Sequence, residues 1–166
     1  MITSLSLGYD ELLRYTNEER QKWHDWLLAH AEAMEIPVQP GGQFPTVGKL
    51  IDHIFLGEHR FVQRLTGARL VDSTGLTANN VPPLFAYGAS VRRELDQFIA
   101  TLDADAADEP RTFVIRDQTW QLTPRKMLFH VLLHETRHWA QIALAVRQAG
   151  LHPPGNHDLL FSRALK

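Results

Sequence analysis

The sequence predicts an all-α fold, most simply a four-helix bundle, and three observations favour it. The chain has 166 residues, 44% of them hydrophobic and 22% charged, which is enough for one domain with a substantial core. Its nine prolines leave four long proline-free stretches, and interior proline breaks a helix. Within each stretch apolar residues recur at the spacing of an amphipathic helix. We therefore expect a single domain over residues 1–166, with one helix in each stretch.

The first two stretches are each predicted to hold one helix. The first helix runs from about Tyr9 to Met34, where its apolar spacing stops ahead of a loop rich in proline and glycine at residues 37–45. The second helix begins after Thr46 and ends at Gly67. A threonine hydroxyl caps the free N–H groups of a helix start, and glycine readily takes the left-handed conformation of a helix end.

The third helix is predicted to begin at Pro82-Pro83, and its apolar stripe ends at Leu102. Proline is well tolerated in the first turn of a helix, because the N–H that it lacks has no partner there. The acidic stretch that follows, residues 103–109, is expected to be a solvated loop.

A short β-hairpin is predicted between the third and fourth helices. Residues 112–122 alternate apolar and polar side chains on either side of a turn at residues 117–118, and this alternation is the period of a strand. The fourth helix then begins at Pro124, with Thr123 as its cap, and ends at Gly150. Threonine followed by proline is typical of a helix start.

Charge and composition argue against several classes of function. Seventeen Lys and Arg residues against nineteen Asp and Glu residues give a net charge of −2, which argues against a nucleic acid or an anionic membrane as a partner. No apolar run approaches the roughly 20 residues of a membrane-spanning helix, and the N-terminal segment lacks the pattern of a signal peptide. We therefore expect a cytoplasmic protein. The chain has no cysteine but nine histidines, so any metal must be held by imidazole and carboxylate.

Two histidines of the fourth helix point to a metal site. His134 and His138 both fall within the apolar stripe of that helix at about 100° per residue. Side chains at this spacing lie roughly 5–6 Å apart, close enough for both imidazoles to bind one ion at about 2.0–2.1 Å. One buried histidine is usually a hydrogen-bonded core residue, but two in an apolar stripe both need partners. His130 lies at the margin of the stripe.

The second helix offers candidates for a third ligand, His53 and His59. His53 falls at the edge of the buried face, and Gly57 beside it leaves room for the ring. His59 points away from that face. Spacing alone leaves open whether His53 is a ligand or a boundary histidine that bonds water. If it is not a ligand, His130 or Glu135 becomes the candidate.

At these residues the sequence resembles the DinB-like family of damage-inducible bacterial four-helix bundles. The resemblance is carried by a tyrosine-bearing first helix, by the second-helix segment LIDHIFLGEHRF, and by the fourth-helix segment HVLLHETRHWAQI with the tail RQAG and a Pro-Pro pair. Family members usually bind a divalent metal through three histidines, which here correspond to His53, His134 and His138. Gln141 matches a glutamine of the family. The resemblance also implies a left-handed bundle with a long crossover, often as a homodimer.

The resemblance implies an activity as well. Family members with known activity are metal-dependent transferases that activate a low-molecular-weight thiol, and three neutral imidazoles leave a divalent ion at least one open position. We therefore expect zinc or nickel, with iron and manganese also compatible with imidazole. The expected function is that of a metal-dependent small-thiol S-transferase acting on a small molecule. Nothing in the sequence identifies the thiol or its acceptor, so no catalytic side chain is assigned.

Two other functions stay open on the sequence. The first is a non-catalytic module in which the metal stabilises the fold and a ligand or partner binds. The second is a zinc metalloprotease, because residues 134–138 spell HExxH, in which Glu135 would be the general base. Its third ligand would be a loop residue: His152, His157 or Asp158. Gln141 and Leu144 stand where the metzincin motif continues with glycine and histidine.

Overall fold

The computed structural model describes residues 6–165 and is predominantly helical, as predicted. Its α-helices are α1 (Tyr9–Ala29), α2 (Val47–Thr66), α3 (Val81–Thr101), the short α4 (Ala104–Asp108) and α5 (Pro124–Gln148). The strands are β1 (Arg111–Ile115) and β2 (Gln118–Leu122), and short 3₁₀ helices cover Ala31–Glu35 and Leu159–Phe161. No helix within residues 6–165 has a stretch long and apolar enough to cross a membrane.

The two helices that carry the candidate ligands lie side by side. Helix α2 packs against α3 and α5, while α1 packs against the same two helices. His53 on α2 can therefore meet His134 and His138 on α5, which sequence periodicity could not establish.

The predicted helix ends at Thr46, Gly67 and Thr123 are confirmed. The hydroxyl of Thr46 accepts a hydrogen bond from the backbone N–H of Lys49 at 3.3 Å. The hydroxyl of Thr123 does the same for Lys126 at 3.1 Å. Gly67 takes a φ of 74° at the end of α2, a conformation that costs glycine little. Both site-bearing helices thus start at a side-chain cap.

The first helix is shorter than predicted, because it ends at Ala29 rather than at Met34. The ring of His30 donates from Nδ1 to the carbonyl of Trp26 at 2.9 Å, and this carbonyl is the one that the backbone N–H of His30 would use in a continuing helix. That N–H turns instead to Leu27 at 3.3 Å. The chain tightens into a 3₁₀ helix, which still buries Met34 completely.

The prediction of a loop over residues 103–109 was wrong in part, because it contains α4. Asp103 caps this helix by accepting from the backbone N–H groups of Asp105 at 2.9 Å and Ala106 at 3.4 Å. Aspartate is a strong N-cap and alanine is the best helix former. The acidic stretch therefore has its own local reason to be helical.

The predicted hairpin is confirmed, with its turn one residue earlier than expected. Strands β1 and β2 pair antiparallel, with Phe113 opposite Trp120. Arg116 and Asp117 form the turn with φ values of 51° and 60°. A two-residue hairpin turn of this kind matches the twist of the strands but needs positive φ at both positions.

The core is organised around stacked aromatic rings. Trp23 of α1 and Trp139 of α5 lie nearly parallel, with ring centroids 5.6 Å apart, and both are buried with Phe55 and Phe85. A second cluster of buried residues includes Phe113, which joins the hairpin to the long helices. These contacts hold α1 and α5 together beside the histidines.

Candidate metal centre

Three histidines converge between α2 and α5. The Nε2 atom of His134 lies 3.2 Å from Nε2 of His53 and 3.0 Å from Nε2 of His138. One ligand atom from each of the three residues lies within 4.8 Å of the other two. Among residues 6–165, no other group of three His, Asp or Glu side chains comes together in this way.

The place of each histidine in the cluster follows from its position on its helix and from the residues beside it. His134 and His138 stand on successive turns of α5, and their rings meet edge to face with centroids 4.4 Å apart. His53 faces them from α2. Phe44 in the preceding loop stacks on the ring of His53, with the two ring centroids 3.9 Å apart. A Cβ at Gly57 would lie 3.6 Å from Cε1 of His134, an ordinary contact. Glycine therefore leaves room beside the rings, and an alanine would fit there as well.

The donor set fits a divalent metal ion. Two nitrogens that each lie about 2.0–2.1 Å from one tetrahedral ion are about 3.3 Å apart, close to the 3.0 and 3.2 Å between these Nε2 atoms. The Nε2 of His134 can carry one proton or one lone pair, so it cannot satisfy both neighbouring nitrogens by hydrogen bonding. A cation bound by three lone pairs would satisfy all of them.

The pKa values of the three histidines favour the neutral ligand form. Burial, with added repulsion from the neighbouring imidazoles, lowers the pKa of His134 to about 3. Burial and the nearby His138 lower the pKa of His53 to about 4. Burial also lowers the pKa of His138. Since only neutral imidazole binds a metal, the fold holds these side chains ready at neutral pH.

Gln141 decides which nitrogen of His138 faces the cluster. Its Oε1 lies 2.6 Å from Nδ1 of His138. An amide oxygen can only accept, so Nδ1 carries the proton and Nε2 keeps its lone pair. Metal-binding histidines are commonly oriented by an acceptor on the far nitrogen in this manner.

The other candidate residues lie outside the cluster. His59 is not directed away from the buried face as predicted, because its side chain is only 15% exposed. It lies against α3, and its Nδ1 is hydrogen-bonded to the hydroxyl of Tyr87 at 2.6 Å. His130 is exposed, with its ring centroid 5.6 Å from that of His134. None of the loop candidates considered for a protease joins the three histidines: His152, His157 and Asp158.

Glu135 is bonded to side chains of the core rather than to the histidines. It accepts from Nε of Arg20 at 2.5 Å, from Nη2 of Arg92 at 2.6 Å and from the indole of Trp139 at 3.0 Å. Burial would raise its pKa, but the two guanidiniums outweigh burial and hold the pKa below its usual range. A general base must reach the proton that it removes, so the HExxH interpretation lacks its base. Glu135 also does not hold a ligand imidazole.

The sequence analysis did not identify the two buried arginines that bond the glutamates of α2 and α5. Arg20 and Arg92 are only 8% and 6% exposed, whereas arginine is normally a surface residue. The available signal was that Glu58 and Glu135 both lie within about 60° of the buried face of their helices. A carboxylate there requires a cationic partner, but spacing does not tell which arginine supplies it.

Comparison with known proteins gives one family. The model of the DinB family matches residues 1–164, nearly the whole chain and all three histidines of the cluster. No curated protein matches the sequence.

Proposed function

The chain belongs to the DinB family, and we propose from this that it holds one divalent metal ion between His53, His134 and His138. The observation that carries the proposal is the convergence of three Nε2 atoms, with adjacent pairs 3.0 and 3.2 Å apart. Zinc and nickel are the proposed natural ions, since imidazole binds them well; iron(II) and manganese(II) accept the same donors but bind more weakly than nickel.

The proposed architecture is a four-helix bundle with a long crossover, in a single domain over residues 1–166. In support, α1 and α2 each pack against both α3 and α5. Helices α1 and α2 then stand at opposite corners of the bundle, and so do α3 and α5. Two connections cross between opposite corners: residues 30–46, which contain the Phe44 that covers His53, and the longer connection of residues 102–123, which contains α4 and the hairpin.

The proposed activity is transfer of a small thiol to an electrophilic small molecule. A divalent ion held here supplies Lewis acidity, which lowers the pKa of a water or thiol that binds it. Side chains of the protein hold the three imidazoles in the form and orientation that bind a metal ion. The imidazoles are kept neutral by burial, Gln141 holds the Nδ1 proton of His138, and Phe44 shields one face of the His53 ring.

A second candidate is a non-catalytic module in which the metal serves the fold. One observation favours it: within residues 6–165, the only polar side chain hydrogen-bonded to the cluster from outside is Gln141. No acid or base therefore stands ready beside the imidazoles to move a proton. A metalloprotease is disfavoured, because its base would have to be the buried Glu135.

We also propose that the protein forms a homodimer. Leu133 and Leu144 on α5 are each 55% exposed, and association of two copies would remove such apolar side chains from water. Sedimentation equilibrium should then give twice the chain mass, and Leu133→Glu should reduce it to one chain.

Elemental analysis of untagged protein tests the metal site. Wild type should contain about one divalent ion per chain, since three imidazoles make one site. His134→Ala and His138→Ala should lose it, whereas His59→Ala, which alters a histidine bonded to Tyr87, should keep it. Full metal content in both α5 variants would eliminate the site. An anomalous map with the ion more than about 3 Å from the His53 ring would remove that residue.

A paired activity assay separates the candidate functions. Wild type should conjugate a small thiol to a model electrophile and leave a generic peptide intact, and His138→Ala should lose the conjugation. Turnover with neither substrate would favour the non-catalytic module. Peptide cleavage by wild type that is lost in folded, metal-loaded Glu135→Gln would instead establish the protease.

A further inference from the structure

Two arginines and two glutamates from four different helices form a closed cluster of charges in the core. This cluster, the ion square, consists of Arg20 (α1), Glu58 (α2), Arg92 (α3) and Glu135 (α5). Arg20 bonds both carboxylates, through Nε to Glu135 at 2.5 Å and through Nη2 to Glu58. Arg92 does the same, with 2.8 Å to Glu58 and 2.6 Å to Glu135. Positive and negative groups alternate, so the net charge is zero.

The remaining hydrogen-bonding groups of the ion square are used as well. Arg20 donates from Nη1 to the carbonyl of Gly88 at 3.1 Å. Arg92 donates from Nη1 to the side chains of Thr16 at 3.1 Å and Asn17 at 2.9 Å. A buried polar network in which every member is satisfied is rigid and admits one arrangement of its helices.

The ion square stands on the same two helices as the histidines. Glu58 follows His53 on α2, and Glu135 is the neighbour of His134 on α5. The two carboxylates do not bond each other, because each is held by both arginines. Each guanidinium, from α1 and from α3, therefore links a carboxylate of α2 to a carboxylate of α5, in addition to the direct packing of these two helices.

Fold stability alone does not account for this arrangement. Taking charges out of water is costly, and replacing a buried ion pair by apolar side chains is often neutral or stabilising. What the charges provide in addition is a specific geometry, since a bidentate guanidinium tolerates little displacement of its carboxylate. That geometry is transmitted to residues on the adjoining faces of α2 and α5.

We infer that the ion square positions the three imidazoles, by holding α2 against α5 at the rotation that makes their Nε2 atoms converge. The inference rests on the metal site proposed above. The residues of the square are positioning residues, because none of them contacts the histidine cluster.

The double variant Arg92→Met/Glu58→Met tests the inference. It removes one charge of each sign and with them the bonds between α2 and the other members of the ion square. The direct bonds between Arg20 and Glu135 stay in place. We expect a folded, helical protein whose zinc affinity falls at least about tenfold, with an altered visible spectrum of bound cobalt(II). The control is Arg125→Gln/Asp108→Asn, which removes an exposed ion pair of 2.5 Å and should leave both readouts unchanged.

A second measurement needs no metal. The chain has no cysteine, so Lys49→Cys on α2 and Lys126→Cys on α5 allow two spin labels to be attached at exposed positions. The distance distribution between the labels should be narrow in the otherwise wild-type protein and should broaden or shift in the double variant. If the double variant does not fold, Arg92→Lys takes its place, because lysine keeps the charge but lacks the rigid planar fork that bonds a carboxylate bidentately.

Unchanged label distances would overturn the inference, and so would an unchanged zinc affinity in a folded double variant. Failure of the wild-type protein to bind zinc, nickel, iron or manganese would overturn the metal site instead. The label distances would still report whether the square fixes α2 against α5, so the two failures are distinguishable.

Discussion

Replacing Glu135 by glutamine should destabilise the metal-free protein strongly. The carboxylate is 1% exposed and accepts hydrogen bonds from two guanidiniums and one indole. Glutamine has the same shape but no charge, and its amide nitrogen presents hydrogens where the carboxylate accepted bonds. Arg20 and Arg92 would then share only Glu58, which leaves one uncompensated positive charge in the core.

The size of the effect follows from that charge balance. Removing one partner of a buried ion pair costs about 3–5 kcal/mol, and the oxygen that glutamine retains places this variant toward the lower end. The expected loss of about 3 kcal/mol is large beside the roughly 5–15 kcal/mol of total stability of a typical domain. For a chain of this size it corresponds to a fall in Tm of about 6–12 °C.

Urea unfolding followed by circular dichroism, with a chelator present, measures the loss of stability. The matched control is Glu32→Gln, because Glu32 is exposed and its loss should change the free energy of unfolding by less than about 0.5 kcal/mol. Equal unfolding midpoints for the two variants would refute the charge balance on which this magnitude rests. Thiol conjugation by metal-loaded, folded Glu135→Gln should stay within about tenfold of wild type, whereas loss of a general base costs about 10²–10⁴-fold.

The remaining predictions concern the surroundings of the histidines and two glycines of α2. Gln141→Leu should weaken zinc binding by about tenfold or more in a chelator competition titration, and Gln148→Leu, an exposed residue of the same helix, should not. Because burial lowers the pKa of His134 to about 3, zinc should be retained well below the pH of about 6.5 at which free histidine titrates; release with a midpoint at 6.5 would contradict this. The metal-free fold should lose stability as pH falls below about 6.5, since the unfolded chain then binds more protons. Gly48→Ala should destabilise by at least about 1–3 kcal/mol, because its Cβ would lie 2.1 Å from a backbone oxygen. Gly57→Ala, at 3.6 Å from its nearest neighbour, should gain up to about 1 kcal/mol of helix propensity; thermal melts compare the two.

Features that depend on a few neighbouring residues were predictable from the sequence. The starts of α2 and α5 follow from Thr46 and Thr123, whose hydroxyls bond a backbone N–H three residues on. The common face of His134 and His138 follows from helix periodicity. In both cases the interacting groups lie within about one helical turn of each other, so the local sequence is enough to predict that they meet.

Features that join distant parts of the chain were not predictable from spacing. Glu135 and Arg20 are 115 residues apart, and nothing in the period of either helix pairs them. The place of His53 beside α5 likewise depends on which helices are neighbours. The early end of α1 has a different cause, a bond from the His30 ring to the Trp26 carbonyl, because hydrophobic periodicity contains no information about such side-chain bonds to the backbone.

The stacked indoles of Trp23 and Trp139 give the protein a spectroscopic signal of its own tertiary contacts. Their rings are nearly parallel, 12° apart, with centroids 5.6 Å from each other, and two chromophores this close couple their ultraviolet transitions. Trp23 also lies 5.8 Å from Trp26 of its own helix. In a Trp26→Phe variant, which removes that neighbour, the remaining exciton couplet depends on the contact between α1 and α5 and not on helix content. Since Trp139 also donates to Glu135, loss of the couplet while helical ellipticity persists would reveal a state in which the helices have formed but have not yet docked.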